Sequence, residues 1–208
     1  MKSKPLYRMA KKIWFPHLHV HGFEERNGAY RQVLSSGVVR QFVLSKDPHG
    51  AETFMVMCGV DSVPRVEGTD LDYGFAKNDG LYHLTPRGWD YNSGRWPCET
   101  EEQAFASITA LLPLILELAV PWLESITTLS HVGDEINEVK SPGLGWIKAR
   151  LYMLDGNIPR AREVAEKYAD YVEKPEHRRI LLPEDIEEDK ERAARILAEV
   201  EEAARRAG

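Results

Sequence analysis

The sequence predicts an α+β fold: an antiparallel β-meander packed against a long kinked helix, with a C-terminal helical extension. Three observations predict it. Runs rich in β-branched and aromatic residues lie between Phe23 and Val60, separated by turn chemistry. One apolar stripe at spacings of three and four runs from Phe105 to Ile126. From Ser141 onward the composition changes to helix formers. The expected organisation is an α+β domain over residues 1–140 and a helical extension over 141–208.

Tyr7 to Phe15 carries apolar Met9, Ala10, Ile13 and Trp14 opposite lysines, the pattern of a short amphipathic helix. Pro16 interrupts it and can open a second short turn, because proline is tolerated in a first helical turn. The stretch PHLHVHGF, Pro16 to Phe23, then puts His17, His19 and His21 at alternate positions. On a strand all three imidazoles would share a face, whereas a helix pairs only His17 with His21. Gly22 favours the helical reading, since a glycine in the left-handed conformation is a common helix stop.

Phe23 to Leu34 is split by Asn27-Gly28, a hairpin signal. Val38 to Leu44 and Thr53 to Val60 follow as strands, joined by turn chemistry at Lys46-Asp47-Pro48-His49-Gly50. Asp61 to Pro97 is an excursion with six aromatic residues and no sustained period, and one or two strands are expected within it, as near Gly80 to Leu84. Thr100-Glu101-Glu102-Gln103 matches a capping box. In the helix that follows, Phe105, Ile108, Leu112, Ile115 and Trp122 are expected to face the sheet, and Pro113 and Pro121 to kink or split it. Trp146 to Leu154, the turn Asp155-Gly156-Asn157 and Pro159 to Val172 make a helical hairpin that resembles one tetratricopeptide-type helix pair. A single copy cannot form a solenoid, so it is expected to pack as an extension. Pro183 opens a last helix.

Hydrophobic residues are 43% of the chain and charged residues 29%, the balance of a globular protein. Cys58 and Cys98 stand alone, so neither a zinc ribbon nor a disulfide scaffold is indicated. The basic N-terminus lacks the apolar core of a signal peptide. The apolar run Leu111 to Leu123 is shorter than the roughly 20 residues a bilayer requires. A cytoplasmic location is expected, with no membrane partner.

The order of helix, HGF stop, hairpin, VVRQFVLSKD, ETFMVMCGVDS, aromatic excursion ending at Trp96, and long helix carrying PWL resembles a bacterial domain family of unknown function, number 4304. The resemblance covers about Tyr7 to Thr128. It implies that Gly22-Phe23 is a helix stop before the meander, and it implies no activity.

No nucleophile elbow, phosphate loop or dinucleotide fingerprint is present, and PGLGW follows no strand. Asp70 with Asp72, or Asp134 with Glu135, suit acid-base work in a pocket but are commonly solvated loop carboxylates. Arg65, Arg87 and Arg95 are placed to clamp an anion or to form surface ion pairs. From Trp96 to Glu138 there are eight acids and no lysine or arginine, whereas the first twelve residues hold five bases and no acid; the net charge is −6. An acidic block repels nucleic acid and attracts basic proteins.

The expected function is therefore a small protein-binding domain, immunity-like, that docks a basic partner without a cofactor. Glu101, Glu102, Asp134 and Glu135 would steer the partner, and Trp89, Tyr91 and Trp96 would anchor it. The alternative is a metal-dependent hydrolase using the row His17, His19, His21, which would need further ligands from other elements.

Overall fold

The structure, a computed structural model, describes residues 2–47, 52–62, 78–80, 95–136, 142–174 and 183–207. The fold is α+β, as the sequence predicts. Its described residues divide into two compact units, one comprising residues 2–47, 52–61, 78–80 and 95–127 and the other Ser62 with the residues from Thr128 onward.

The first unit opens with α1, Ser3–Leu18, which buries Leu6, Ala10, Trp14 and Leu18 at intervals of four. That stripe lies one position from the expected one, and Met9 and Ile13 flank it half-buried. Pro16 does not interrupt the helix. It sits on the exposed side, where water can reach the carbonyl its missing N–H leaves free. A 3₁₀ turn, His19–His21, continues α1, and Gly22 ends it at φ 82° with its N–H donating to the His19 carbonyl at 2.9 Å.

The histidine row is thus the end of a helix. A Cβ at Gly22 would lie 2.7 Å from Gln32 Nε2, in a backbone region that β-branched residues resist. Gly22→Val should lower stability by about 2 kcal/mol, read as a lower urea midpoint at unchanged slope. An unchanged midpoint would show that the turn tolerates another conformation.

The strands β1, Glu24–Arg26, and β2, Ala29–Val33, pair antiparallel through the two-residue turn Asn27-Gly28. Both turn residues have positive φ, 54° and 84°, which matches the right-handed twist of a hairpin. The meander continues through β3, Val38–Lys46, and β4, Thr53–Ser62. The outer edge of β4 carries two short strands, β5, Asn78–Gly80, at Met57 to Gly59 and β6, Trp96–Pro97, at Thr53 and Phe54. The strand expected near Gly80 to Leu84 begins earlier, and residues 81–94 lie outside the described residues.

Alternation gives the sheet one fully buried face. Tyr30, Val38, Phe42, Leu44, Phe54, Val56, Cys58 and Val60 all point to it. Cys58 and Cys98 are buried and unbridged. Trp14 lies against Tyr30 with ring centroids 5.9 Å apart, and Phe23 against Phe42 at 5.1 Å.

The long helix comprises α2, Glu101–Leu114, a π turn at Ile115–Ala119, and α3, Val120–Ser125. In the π turn the Val120 N–H reaches back to the Ile115 carbonyl. This wider turn precedes Pro121, whose ring needs room over the carbonyl of Glu117. Pro113 leaves α2 unbroken, again from an exposed position.

The second unit is helical. It contains α4, Leu129–Glu135, a 3₁₀ turn at Pro142–Leu144, α5, Gly145–Leu154, α6, Ile158–Val172, and α7, Pro183–Ala207. The helices α5 and α6 form the expected hairpin, with Ala149, Ala161 and Ala165 fully buried where small side chains let backbones approach. Helix α7 packs on both. The guanidinium groups of Arg150 and Arg192 lie 5.5 and 5.1 Å from the Trp146 ring centroid. Buried Lys148 donates to the Ile136 carbonyl at 3.1 Å, where cationic charge suits the end of α4.

Candidate functional site

The side chains at the start of α2 are set by capping. Thr100 Oγ1 accepts from the Gln103 N–H at 3.2 Å, and Gln103 Oε1 accepts from the Glu99 N–H at 3.1 Å. This is the capping box with its return bond shifted back by one residue. Glu101 and Glu102 occupy the first turn, exposed, where the helix dipole favours anions. Its own backbone N–H and the Thr100 hydroxyl hold Glu102 below the usual carboxylate range.

The inner face of the long helix is fixed from three sides. The buried Trp14 indole N–H donates to the Ile108 carbonyl at 2.8 Å, tying α1 to α2. Ser107 Oγ donates to the Pro97 carbonyl at 2.8 Å, tying α2 to β6. Arg40, 5% exposed, reaches from β3 to the end of α3. Its Nε and Nη2 donate to the Ile126 carbonyl at 3.2 and 3.0 Å, its Nη2 to the Glu124 carbonyl at 3.0 Å, and its Nη1 to Gln32 Oε1 at 3.0 Å. Gln32 in turn donates to the His21 carbonyl at 3.0 Å.

These anchors correct the expected helix face. Ile108 and Ile115 are buried as expected, but Phe105 is 56% exposed and Leu112 and Trp122 are only half-buried. Ala104, Ser107, Leu111, Ala119, Val120 and Leu123 take the inner positions. Small Ala104 and Ser107 let the helix approach the sheet, and the Ser107 hydroxyl has its acceptor in Pro97.

The outer face consequently carries Phe105, Ala106, Thr109, Ala110, Pro113 and Pro121 exposed, with Leu112, Leu114, Leu116, Leu118 and Trp122 half-exposed among them. Its charges are all negative: Glu101, Glu102, Glu117 and Glu124. Spanning 25 residues, Glu101–Ser125 is also long and apolar enough to cross a membrane by length and composition, with a mean hydropathy of 1.9 over its most apolar 18 residues. The shorter run Leu111 to Leu123 understates that length. Core helices of this composition pass the same test, and the inner face here is buried in the sheet core.

The remaining expected docking residues are dispersed. Trp96 is half-buried in β6. Asp134 and Glu135 belong to the second unit, at the end of α4, where Asp134 accepts the Tyr152 hydroxyl. Trp89, Tyr91, Asp70, Asp72, Arg65 and Arg87 lie outside the described residues. Arg95 donates to Asp47 in a tight ion pair.

The histidines sit on helical backbone, His17 and His19 exposed, with His21 Nδ1 2.9 Å from Glu124 Oε1. Among the described residues no group of three or more His, Cys, Asp or Glu side chains is placed to hold a metal ion. Comparison with known proteins finds no matching family model, no matching curated protein and no matching solved structure.

Proposed function

We propose that the chain is a small cytoplasmic protein-binding protein that docks a basic partner on the outer face of α2 and α3, in the manner of bacterial immunity proteins. One observation carries this reading: that face is apolar along the whole helix, exposes Phe105, and bears only carboxylates. An exposed apolar patch rimmed by charge is the usual form of a protein-docking surface. Carboxylates of one sign repel acidic surfaces and steer basic ones. The same proposal places the chain in domain family 4304; the order of helix, Gly22-Phe23 stop, meander and long helix supports it.

Affinity purification from the native host, followed by mass spectrometry, tests the reading. A stoichiometric protein partner with a basic surface is expected. Phe105→Ala should then speed release about tenfold, the effect of losing a buried aromatic anchor. Glu101→Lys with Glu102→Lys should chiefly slow association, and 1 M salt, where the Debye length is about 3 Å, should remove that difference. Failure to recover a stoichiometric partner, or an affinity indifferent to all three substitutions, would overturn the proposal.

A further inference from the structure

A groove of about 480 Å³ opens beside the first half of α1, lined by Lys4, Tyr7, Arg8 and Lys11 from the helix and by Glu25, Arg26 and Asn27 from the hairpin. Four of these seven side chains are basic, in a chain whose net charge is −6. Lys4, Arg8 and Lys11 stand one turn apart on one face of α1, and Arg26 comes from the hairpin.

The single acid of the groove is already committed. Glu25 Oε2 lies 2.6 Å from Lys11 Nζ, and Glu25 Oε1 accepts the Gly28 N–H at 3.0 Å. Burial alone would raise the Glu25 pKa; the bonds from Lys11 and Gly28 hold it below the usual carboxylate range. Among the described residues Lys4, Arg8 and Arg26 have no ion-pair partner. The groove therefore presents three uncompensated cations.

Their placement opposes the stability of the helix that carries them. Lys4 lies in the first turn of α1, a turn with no acidic residue and no side-chain cap. Cations there oppose the helix dipole, and like charges four residues apart, Lys4 and Arg8, repel. An anion in the groove would offset both penalties.

We propose that this groove binds the phosphoryl group of a small ligand. Two guanidinium forks and an ammonium match a tetrahedral oxyanion of two or more negative charges better than a single carboxylate. The Tyr7 ring packs against the Asn27-Gly28 turn, where a Cβ at Gly28 would lie 2.9 Å from it, and forms an apolar wall. A volume of about 480 Å³ accommodates a small molecule.

Isothermal titration of the full chain with inorganic pyrophosphate, and with phosphate for comparison, tests this. Saturable one-to-one binding is expected. Arg8→Gln and Arg26→Gln should each weaken pyrophosphate binding about tenfold, the effect of losing a charged hydrogen bond. Lys12→Gln removes the same charge from α1 outside the groove and should leave binding unchanged. All three positions are exposed, so none of these substitutions should lower the melting temperature, and Arg8→Gln, which relieves the repulsion with Lys4, should raise it slightly.

Co-sedimentation with phosphatidic acid vesicles separates the sources of the phosphoryl group. Vesicle binding that Arg8→Gln abolishes assigns it to a lipid headgroup, and pyrophosphate binding without vesicle binding assigns it to a soluble ligand; each supports the site. Absence of saturable pyrophosphate binding, wild-type affinity in either groove variant, or equal weakening by Lys12→Gln would overturn it.

Discussion

Ile115→Asp should leave the first unit unfolded at room temperature. Ile115 is fully buried in the π turn, on the inner face of the long helix between Leu111 and Ala119. The substitution removes roughly 2 to 3 kcal/mol of apolar burial. It also forces a carboxylate into a site with no partner, or forces that carboxylate to take up a proton, for several kcal/mol more. Against the 5 to 15 kcal/mol that holds a typical domain folded, the sum removes most or all of the margin. Ala110→Asp makes the control, since Ala110 is exposed on the opposite face of the same helix and surface changes stay within about 0.5 kcal/mol. Far-ultraviolet circular dichroism melts would read both. An Ile115→Asp protein melting with the wild type would mean that the inner face has been placed wrongly.

That experiment bears on the feature the sequence conveyed least well. The fold class, the Asn27-Gly28 hairpin, the Gly22 stop, the Thr100 cap and the α5–α6 hairpin could all be read directly, because each rests on local backbone chemistry that only a few residue types satisfy. The orientation of α2 and α3 could not. Between Ala104 and Leu123 the single charged residue is Glu117, so apolar residues surround the helix and periodicity cannot select one side. Tertiary ties select it: Trp14 to Ile108, Ser107 to Pro97 and Arg40 to the α3 terminus.

The prolines disturb the helices less than their sequence positions suggest, for a related reason. The carbonyl that a missing N–H leaves free can turn to water on an exposed side, and Pro16 and Pro113 both sit on solvent-facing sides. The acidic block was legible as a charge count but not as a surface. Its members fall in two units, and Asp134 is engaged by Tyr152. The basic groove was visible only in part, as a run of bases at the N-terminus; the contribution of Arg26 depends on the hairpin folding beside α1.

Arg40 left a trace that can be recognised in retrospect. In VVRQFVLSK it shares its parity with Val38, Phe42 and Leu44, so a strand that buries those residues must bury the guanidinium too. A buried arginine needs acceptors, and the sequence alone does not name them; the structure supplies the C-terminal carbonyls of α3. Arg40→Met keeps comparable volume but strips the donors from the carbonyls of Glu124 and Ile126 and from Gln32 Oε1. Each buried acceptor left unpaired costs about 1 to 3 kcal/mol, so a loss of about 3 kcal/mol is expected after partial rehydration, a fall in melting temperature on the order of 10 °C. Arg40→Lys should recover only part of this, because one ammonium cannot replace a planar fork that spans three acceptors. Burial lowers the Arg40 pKa, yet an arginine remains protonated across the accessible range, so the loss should not vary between pH 5 and 9. Nor should 1 M salt abolish it, since the interior is poorly screened. A Met variant as stable as the wild type would show that these carbonyls are satisfied without Arg40, and that the arginine does not hold the long helix to the sheet.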